Sequence, residues 1–344
     1  MFPLSSVKPS RTLLSIVASL WLFLPVTIVH AEWMSREEAI MGTAIRVELW
    51  HEDRGAGEAA MAAVMEEMHR IDRLMSPFKP DSELSRINRE AAAGPVRISK
   101  EMFDLIARSI EFSELSGGAF DITFSSVGYL YDYRKGVKPT DVQIAEALPG
   151  INFRHLLLDR ERQTIRYARA GVRIDLGGIA KGHAVDRCIA LLQARGIKEA
   201  LVSAGGDSRV LGDRRGRPWM IGIRDPRNRE ASVAMIPLAN TAISTSGDYE
   251  RYFEADGIRH HHIINPKTGK SATGVRSVTI LGPDTTTTEG YSKIVFILGP
   301  ERGIKLVESH PDIDAVVVDD AGRMHYSAGL SPGLAPAVGR RKER

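Results

Sequence analysis

The chain has 344 residues, with apolar and charged fractions of 43% and 26% and a formal net charge of +3. That composition excludes a disordered or fibrous chain and leaves room for one large domain or two ordinary ones. Basic residues are spread along the chain and cluster densely only in the RRKER tail. Residues 336–344 therefore read as a solvated extension, not a nucleic-acid site.

Lys8 and Arg11 precede an apolar run from Leu13 to Val29, and Val29-His30-Ala31 is a small-x-small cleavage site. Residues 1–31 thus read as a secretory signal cut after Ala31, which makes the protein exported and the domain residues 32–335. The run is about as long as the shortest transmembrane helix, so the alternative is an uncleaved anchor with membrane association. No cysteine follows it, which excludes a lipid anchor, and no twin arginine precedes it. Cys188 is the single cysteine, so no internal disulfide forms and the fold rests on its core.

Gly42 to Trp50 alternates as a half-buried strand. Gly57 to Met75 carries Met61, Val64, Met65, Met68, Ile71 and Leu74 at helical spacing, a core stripe. A Pro-broken loop from Ser76 leads into a short helical turn. Ser99 suits an N-cap for a helix to about Ser116, ended by Gly117-Gly118. Ala119 to Tyr133 crowds three tyrosines and two phenylalanines together; they pack ordinarily or form a wall for a flat ligand. Asp141 suits the cap of a short helix ending before Pro149. From His155 to Ile174, three short runs read as a β-meander.

Arg173 to Asp186, RIDLGGIAKGHAVD, then gives a strand end, Asp175, a glycine turn, Lys181 and a helix start. Unpaired N–H groups and a positive dipole end at one spot suit phosphate, although a plain tight turn uses the same residues. The string is neither of the standard nucleotide motifs. The helix runs to about Gly196. Strands follow at Ala200, around Gly205-Gly206, and near 219–224, 233–237 and 241–244. His260, His261 and His262 invite a metal or haem-chaperone reading. In a strand, adjacent side chains point to opposite faces, so three in a row do not converge on one ion; one histidine acting on a ligand fits better. A strand RSVTILG, a helix from Asp284, a second over 300–309 and a strand from Asp314 close the chain. Strands and helices intermix, which predicts one compact α+β domain of mixed or antiparallel sheets packed with helices.

MGT at Met41, DSELSRIN at Asp81, GGAFDIT at Gly117, RIDLGGIAKGHAVD at Arg173, SAGGD at Ser203, STSGDYER at Ser244, HHIINPKTG at His261 and TEGYSKIVFILG at Thr288 occur in that order. Together they resemble the FAD:protein FMN transferase family, the ApbE-type flavin transferases of bacterial periplasms, over nearly all of the mature chain. The resemblance implies an ApbE-like fold and a reaction. FAD is split at its pyrophosphate with a metal ion, usually Mg2+; FMN passes to a Thr or Ser hydroxyl of an acceptor flavoprotein, and AMP is released. It also implies roles. Met41 and Phe78 border the flavin, and Ala119, Phe120 and Asp121 hold it. Gly177 and Lys181 lie at the phosphate turn, His183 stacks where tyrosine is usual, and Ile263 contacts FAD through its backbone. The Ala180 carbonyl is a metal ligand, and His262 matches the catalytic histidine.

The resemblance breaks at the metal. Asp, then Thr four residues later, is the family pattern; here the positions hold Glu289 and Lys293, and Asn265 stands where Asp is common. An ammonium has no lone pair to offer a metal. Glu289 and Lys293 have the spacing of a helix-surface ion pair, and Thr286-x-x-Glu289 that of a capping box. Three outcomes follow. Magnesium binds through Glu289, Ala180 and the phosphates; or Lys293 replaces part of its charge in a metal-independent transferase; or catalysis is lost and an exported FAD-binding protein remains.

Overall fold

The computed structural model describes residues 32–228 and 230–330. The expected signal, residues 1–31, and the basic tail, residues 336–344, lie outside the described residues. Among the described residues no helix is long and apolar enough to cross a membrane.

Met41 and Gly42 both have positive φ, 55° and 70°. This is the two-residue turn whose twist suits an antiparallel hairpin. It joins β1 (Glu32–Ile40) to β2 (Thr43–His51). β1 escapes a periodicity reading because EWMSREEAI is charge-rich. It is the edge of its sheet, where charge discourages further pairing. Next, α1 (Arg54–Met75) starts before Gly57 because the Asp53 carboxylate accepts the Ala56 N–H at 3.0 Å. Its Met-rich stripe is buried as expected from Met61 to Ile71, with Leu74 half-buried.

α2 (Glu83–Glu90), β3 (Val96–Arg97) and α3 (Lys100–Leu115) follow, with Ser99 capping α3 as predicted. After α4 (Ser125–Gly128), α5 (Asp141–Ala147) is capped by Thr140, not Asp141. Thr140 accepts from the Gln143 N–H while Gln143 accepts from the Thr140 N–H, a complete capping box. β4 (Leu156–Asp159) pairs with β5 (Thr164–Tyr167), whose other edge takes β3 and not a third strand of a meander. The run at Val172–Ile174 stays out of the sheet because side chains satisfy its backbone. Asn88 accepts from the Ile174 N–H and donates to the Ile174 carbonyl, both at 2.8 Å, and Ser126 Oγ accepts from the Arg173 N–H at 3.0 Å.

The remaining elements are α6 (Ala180–Ala194), β6 (Ala200–Ala204), β7 (Asp207–Leu211), β8 (Trp219–Arg224), β9 (Ser232–Leu238), β10 (Ala242–Gly247), β11 (Tyr252–Ala255), β12 (Ile258–His261), β13 (Val275–Gly282), α7 (Thr285–Leu298), α8 (Pro300–Glu308), β14 (Asp314–Asp319) and β15 (Met324–Tyr326). Eight strands form the main sheet in the order β1-β2-β6-β7-β10-β13-β14-β15, with every pairing antiparallel. Helices α1, α6, α7 and α8 cover one face. The β8–β9 hairpin covers part of the other through Trp219, Ile223, Ile236 and Leu238. The architecture is α+β, as predicted.

The aromatic stretch mostly packs on itself. Tyr131 stacks on Tyr133 at 5.7 Å, Tyr133 leans on Phe253, and Phe120 meets Phe112 edge-on at 5.6 Å. Tyr129 is exposed under the Arg173 guanidinium. Ordinary packing therefore accounts for Phe120, Tyr131 and Tyr133, and the stretch does not form a wall of free ring faces.

Candidate active site

The site grows from the crossing of α6 and α7. A Cβ on Gly182 would stand 2.4 Å from the Thr285 carbonyl oxygen, so only glycine lets the helices approach this closely. The N-terminus of α7 is held by two carboxylates. Asp284 accepts from the Thr287 N–H at 2.7 Å, and Asp186, reaching from α6, accepts from the N–H groups of Thr285 and Thr286 at 2.9 and 2.8 Å. The Thr286–Glu289 capping box therefore does not form.

Glu289 instead points across the crossing. Its Oε2 accepts the Gly182 N–H at 2.7 Å and its Oε1 pairs with the Lys181 ammonium. The start of α6 has no side-chain cap of its own, so this buried carboxylate from α7 meets its positive end. The helix N-terminus expected to await a phosphate is already met from within. Lys181 also pairs with Asp207, the first residue of β7 after the Gly205-Gly206 turn. Burial opposes charge on Lys181, but the two carboxylates outweigh it and hold the ammonium above its usual range. Burial, then the neighbouring Asp207 carboxylate, pushes Glu289 up.

Lys293 lies one turn beyond Glu289 on α7. Its ammonium donates to Ser246 Oγ on β10 at 2.6 Å and makes no ion pair with a carboxylate among the described residues. The surface pair with Glu289 is thus not formed. Strand alternation sets this up: Ser244 and Ser246 face α7, where they meet Thr288 and Ser292 at 2.8 and 2.7 Å, while Ile243, just before them, joins the apolar cluster on the other face. A Cβ on Gly178 would lie 3.4 Å from the Phe120 ring and 3.6 Å from Lys293 Cγ, so the Lys293 stem runs along the glycine turn. Burial, then the Lys181 ammonium, lowers Lys293. In the turn itself Asp175 Oδ1 accepts the Gly177 N–H at 2.6 Å.

The three histidines separate as strand geometry demands. His260 stacks on Phe253, and His261 is buried with its Nε2 against the Ala272 carbonyl at 2.8 Å. His262 turns toward the cations. Burial and then the charges of Lys293 and Arg251 depress it to about 3, and its buried Nδ1 has no hydrogen-bond partner among the described residues. Arg251 is tied into the same corner: its carbonyl accepts the His262 N–H at 3.1 Å and its Nη2 reaches the Gly42 carbonyl at 3.3 Å. The charges of Lys293, Arg251 and, least, Lys181 thus act on the buried His262 imidazole.

Of the residues singled out in the sequence, Met41, Phe120, Gly177, Ala180, Lys181, His262, Ile263, Glu289 and Lys293 come to this corner or border it. Ala119 is buried beside Phe120. The Asp121 carboxylate works locally, accepting from Thr123 N–H and Phe153 N–H at 2.8 Å each. His183 meets Glu101 Oε1 at 2.8 Å, in a network with Arg70 and Arg187. Phe78 is 86% exposed on its loop. Asp207, Ser246 and Arg251 were passed over in the sequence. Each sat within a quoted string, but only the fold shows which lysine or histidine each one serves.

The residues present do not fit magnesium well. Each Glu289 oxygen already has a partner, Lys293 is a donor, and Lys181 sits between the two carboxylates. The atom left over is the buried, unpartnered Asp207 Oδ1, whereas magnesium demands a near-octahedral shell of oxygens.

An antiparallel α+β domain with a cationic, histidine-bearing corner near a glycine turn has the chemistry to receive an anion. The chain belongs to the ApbE family, whose match spans residues 41–317. It is 34% identical over 316 residues to the FAD:protein FMN transferase of Treponema pallidum, covering 86% of this chain and 87% of that protein. The FAD:protein FMN transferase of Vibrio cholerae is 32% identical over 279 residues, covering 78% and 82%. Among solved structures, the ApbE protein of Thermotoga maritima superposes with a TM-score of 0.81 at 33% identity, covering 87% of this chain and 98% of that one. The flavin transferase ApbE from Vibrio cholerae gives 0.79 at 29% identity, covering 89% and 100%.

Proposed function

We propose that this flavin transferase cleaves FAD and attaches FMN through a phosphoester to a Ser or Thr hydroxyl of an exported or membrane-bound flavoprotein. The observation that carries the reading is the gathering of Lys181, Lys293 and Arg251 around His262 in an ApbE-family domain. The acceptor oxygen attacks the phosphorus of the flavin-bearing phosphate, the bond to the AMP phosphate breaks, and AMP leaves. Such a transfer needs positioning and charge neutralisation more than a protein nucleophile. The neutral imidazole of His262 is the group placed to take the hydroxyl proton. Its proton affinity is depressed first by burial and then by the charges of Lys293 and Arg251; pyrophosphate oxygens arriving there raise it toward a useful range. Met41, on its hairpin turn, and the backbone of Ala119, Phe120 and Ile263 line the approach for the flavin. Charge neutralisation is where this chain departs from the resemblance, with the Lys293 ammonium at a position where a Mg2+ ligand is expected.

The reaction is placed outside the cytoplasm, in the periplasm. The N-terminal run supports this as a signal or, uncleaved, as a tether to the inner membrane. β1 begins at Glu32, so cleavage after Ala31 leaves every described element in place. Incubating the mature protein with FAD and an exported flavoprotein bearing a candidate Thr tests the reading. Covalent in-gel flavin fluorescence, a mass gain of one FMN less water, and stoichiometric AMP are expected, all lost when that Thr becomes Ala. Release of free FMN and AMP without labelled protein would make the chain a pyrophosphatase instead.

A further inference from the structure

We propose that this site works without a divalent metal ion, with the Lys293 ammonium supplying the positive charge that the pyrophosphate needs. The inference rests on the flavin-transfer reading and concerns what neutralises the transferred phosphate.

Four observations on different elements carry it. Lys293 is an ammonium with no carboxylate partner among the described residues, held to Ser246 Oγ at 2.6 Å. Its stem lies along Gly178, which fixes the charge beside the glycine turn. Glu289, the carboxylate that stands where a metal ligand is expected, is spent on the Gly182 N–H and on Lys181. Lys181 bridges Glu289 to Asp207 and so offsets one of the two negative charges that would otherwise call for a cation. A magnesium ion brought here would face two ammonium groups and displace hydrogen bonds that hold α6 to α7. A phosphate oxygen brought here meets Lys293 as a ready donor, the way lysine serves phosphates as a point charge elsewhere. Ser246 and Ser292, whose hydroxyls lie 2.7 Å apart, hold the ammonium in place without cancelling its charge. They are positioning residues.

The experiment uses the whole mature protein and two readouts that need no acceptor. FAD binding is followed by quenching of flavin fluorescence in EDTA and in magnesium, and Mn2+ is titrated into the protein–FAD complex by electron paramagnetic resonance. The expected result is an FAD affinity equal within about twofold in both media, with no Mn2+ bound stoichiometrically. Lys293→Met should weaken FAD by roughly tenfold or more in either medium, the worth of one charge-assisted hydrogen bond. Lys293→Thr should weaken it in EDTA and recover part of the loss in magnesium. One Mn2+ bound per FAD by the unaltered protein, with affinity collapsing in EDTA, overturns the inference and leaves flavin transfer standing. So does unchanged binding in both variants. Loss of FAD binding by the folded, unaltered protein in every medium removes the transfer reading itself and this inference with it. Circular dichroism confirms that each variant is folded.

Discussion

The two faces of the main sheet are built from the same strands and do opposite work. On β10, Ile243 points to the hairpin face and joins Val210, Trp219, Ile236, Leu238 and Leu281 in an apolar cluster. Its neighbours Ser244 and Ser246 point to the helix face and meet Thr288, Ser292 and Lys293. Apolar contacts are non-directional, so the hairpin face holds through area alone. The helix face gives up some of that burial for a chain of ammonium and carboxylate groups whose members depend on each other. Such a network stabilises little relative to apolar packing, but it is severely disturbed when one member is removed. That asymmetry separates stability from function: damage on the hairpin face should weaken the fold alone, and damage on the helix face should weaken both.

The sharpest break comes from Lys181→Met. It leaves Asp207 and Glu289 buried without their shared cation, a loss of about 3–5 kcal/mol by urea unfolding, together with loss of FAD binding. A Lys181→Met protein less than about 1 kcal/mol weaker would mean that the bridge is incidental, since broken buried pairs do not come so cheaply.

Ile236→Ala probes the other face. Ile236 is buried under the hairpin, and its truncation should cost about 2–4 kcal/mol through lost transfer energy and the cavity left behind. FAD affinity of the folded fraction should not move. A parallel drop in affinity would show the two faces to be coupled through the strands they share.

How much of this was legible beforehand follows the same division. The α1 stripe, the Ser99 cap and the α+β class could be read because periodicity and capping are local. The anion turn at RIDLGGIAKGHAVD was found from its glycines and helix start, yet its carboxylate occupant was not, because Glu289 lies 107 residues from Gly182. Spacing along α7 suggested that Glu289 pairs with Lys293 on the surface; the fold turns it inward to Lys181, and no periodicity reports such a partner. The third run of the meander failed for a related reason. Val172–Ile174 has the composition of a strand, but the Asn88 and Ser126 side chains take the hydrogen bonds that a strand would. That His260 and His261 part company did follow from alternation alone; His262 lies past the end of β12.

The gentlest test of the contrast is pH, because acid protonates groups on the helix face and none in the apolar cluster. His262 is held near 3 in the folded protein by burial and the adjoining cations, against an ordinary value of about 6.5. Between these values the unfolded chain binds the proton and the folded one does not. Stability contributed by neutral His262 is therefore present above about pH 6.5 and lost as pH falls, by up to ~1.4 kcal/mol per pH unit. Glu101, held down to about 2 chiefly by its hydrogen bond to Arg70, loses stability with falling pH in the same direction, so the unaltered protein alone does not isolate the histidine. His262→Gln does: it cannot titrate, and the difference between the two unfolding curves should vanish in slope above pH 7 and open steadily from pH ~6 to ~4, as the window between the two proton affinities dictates. Bound FAD should narrow that difference, since the pyrophosphate charge raises the proton affinity of His262. A slope that FAD leaves untouched would place the phosphates away from His262, and the cationic corner would then serve the fold alone.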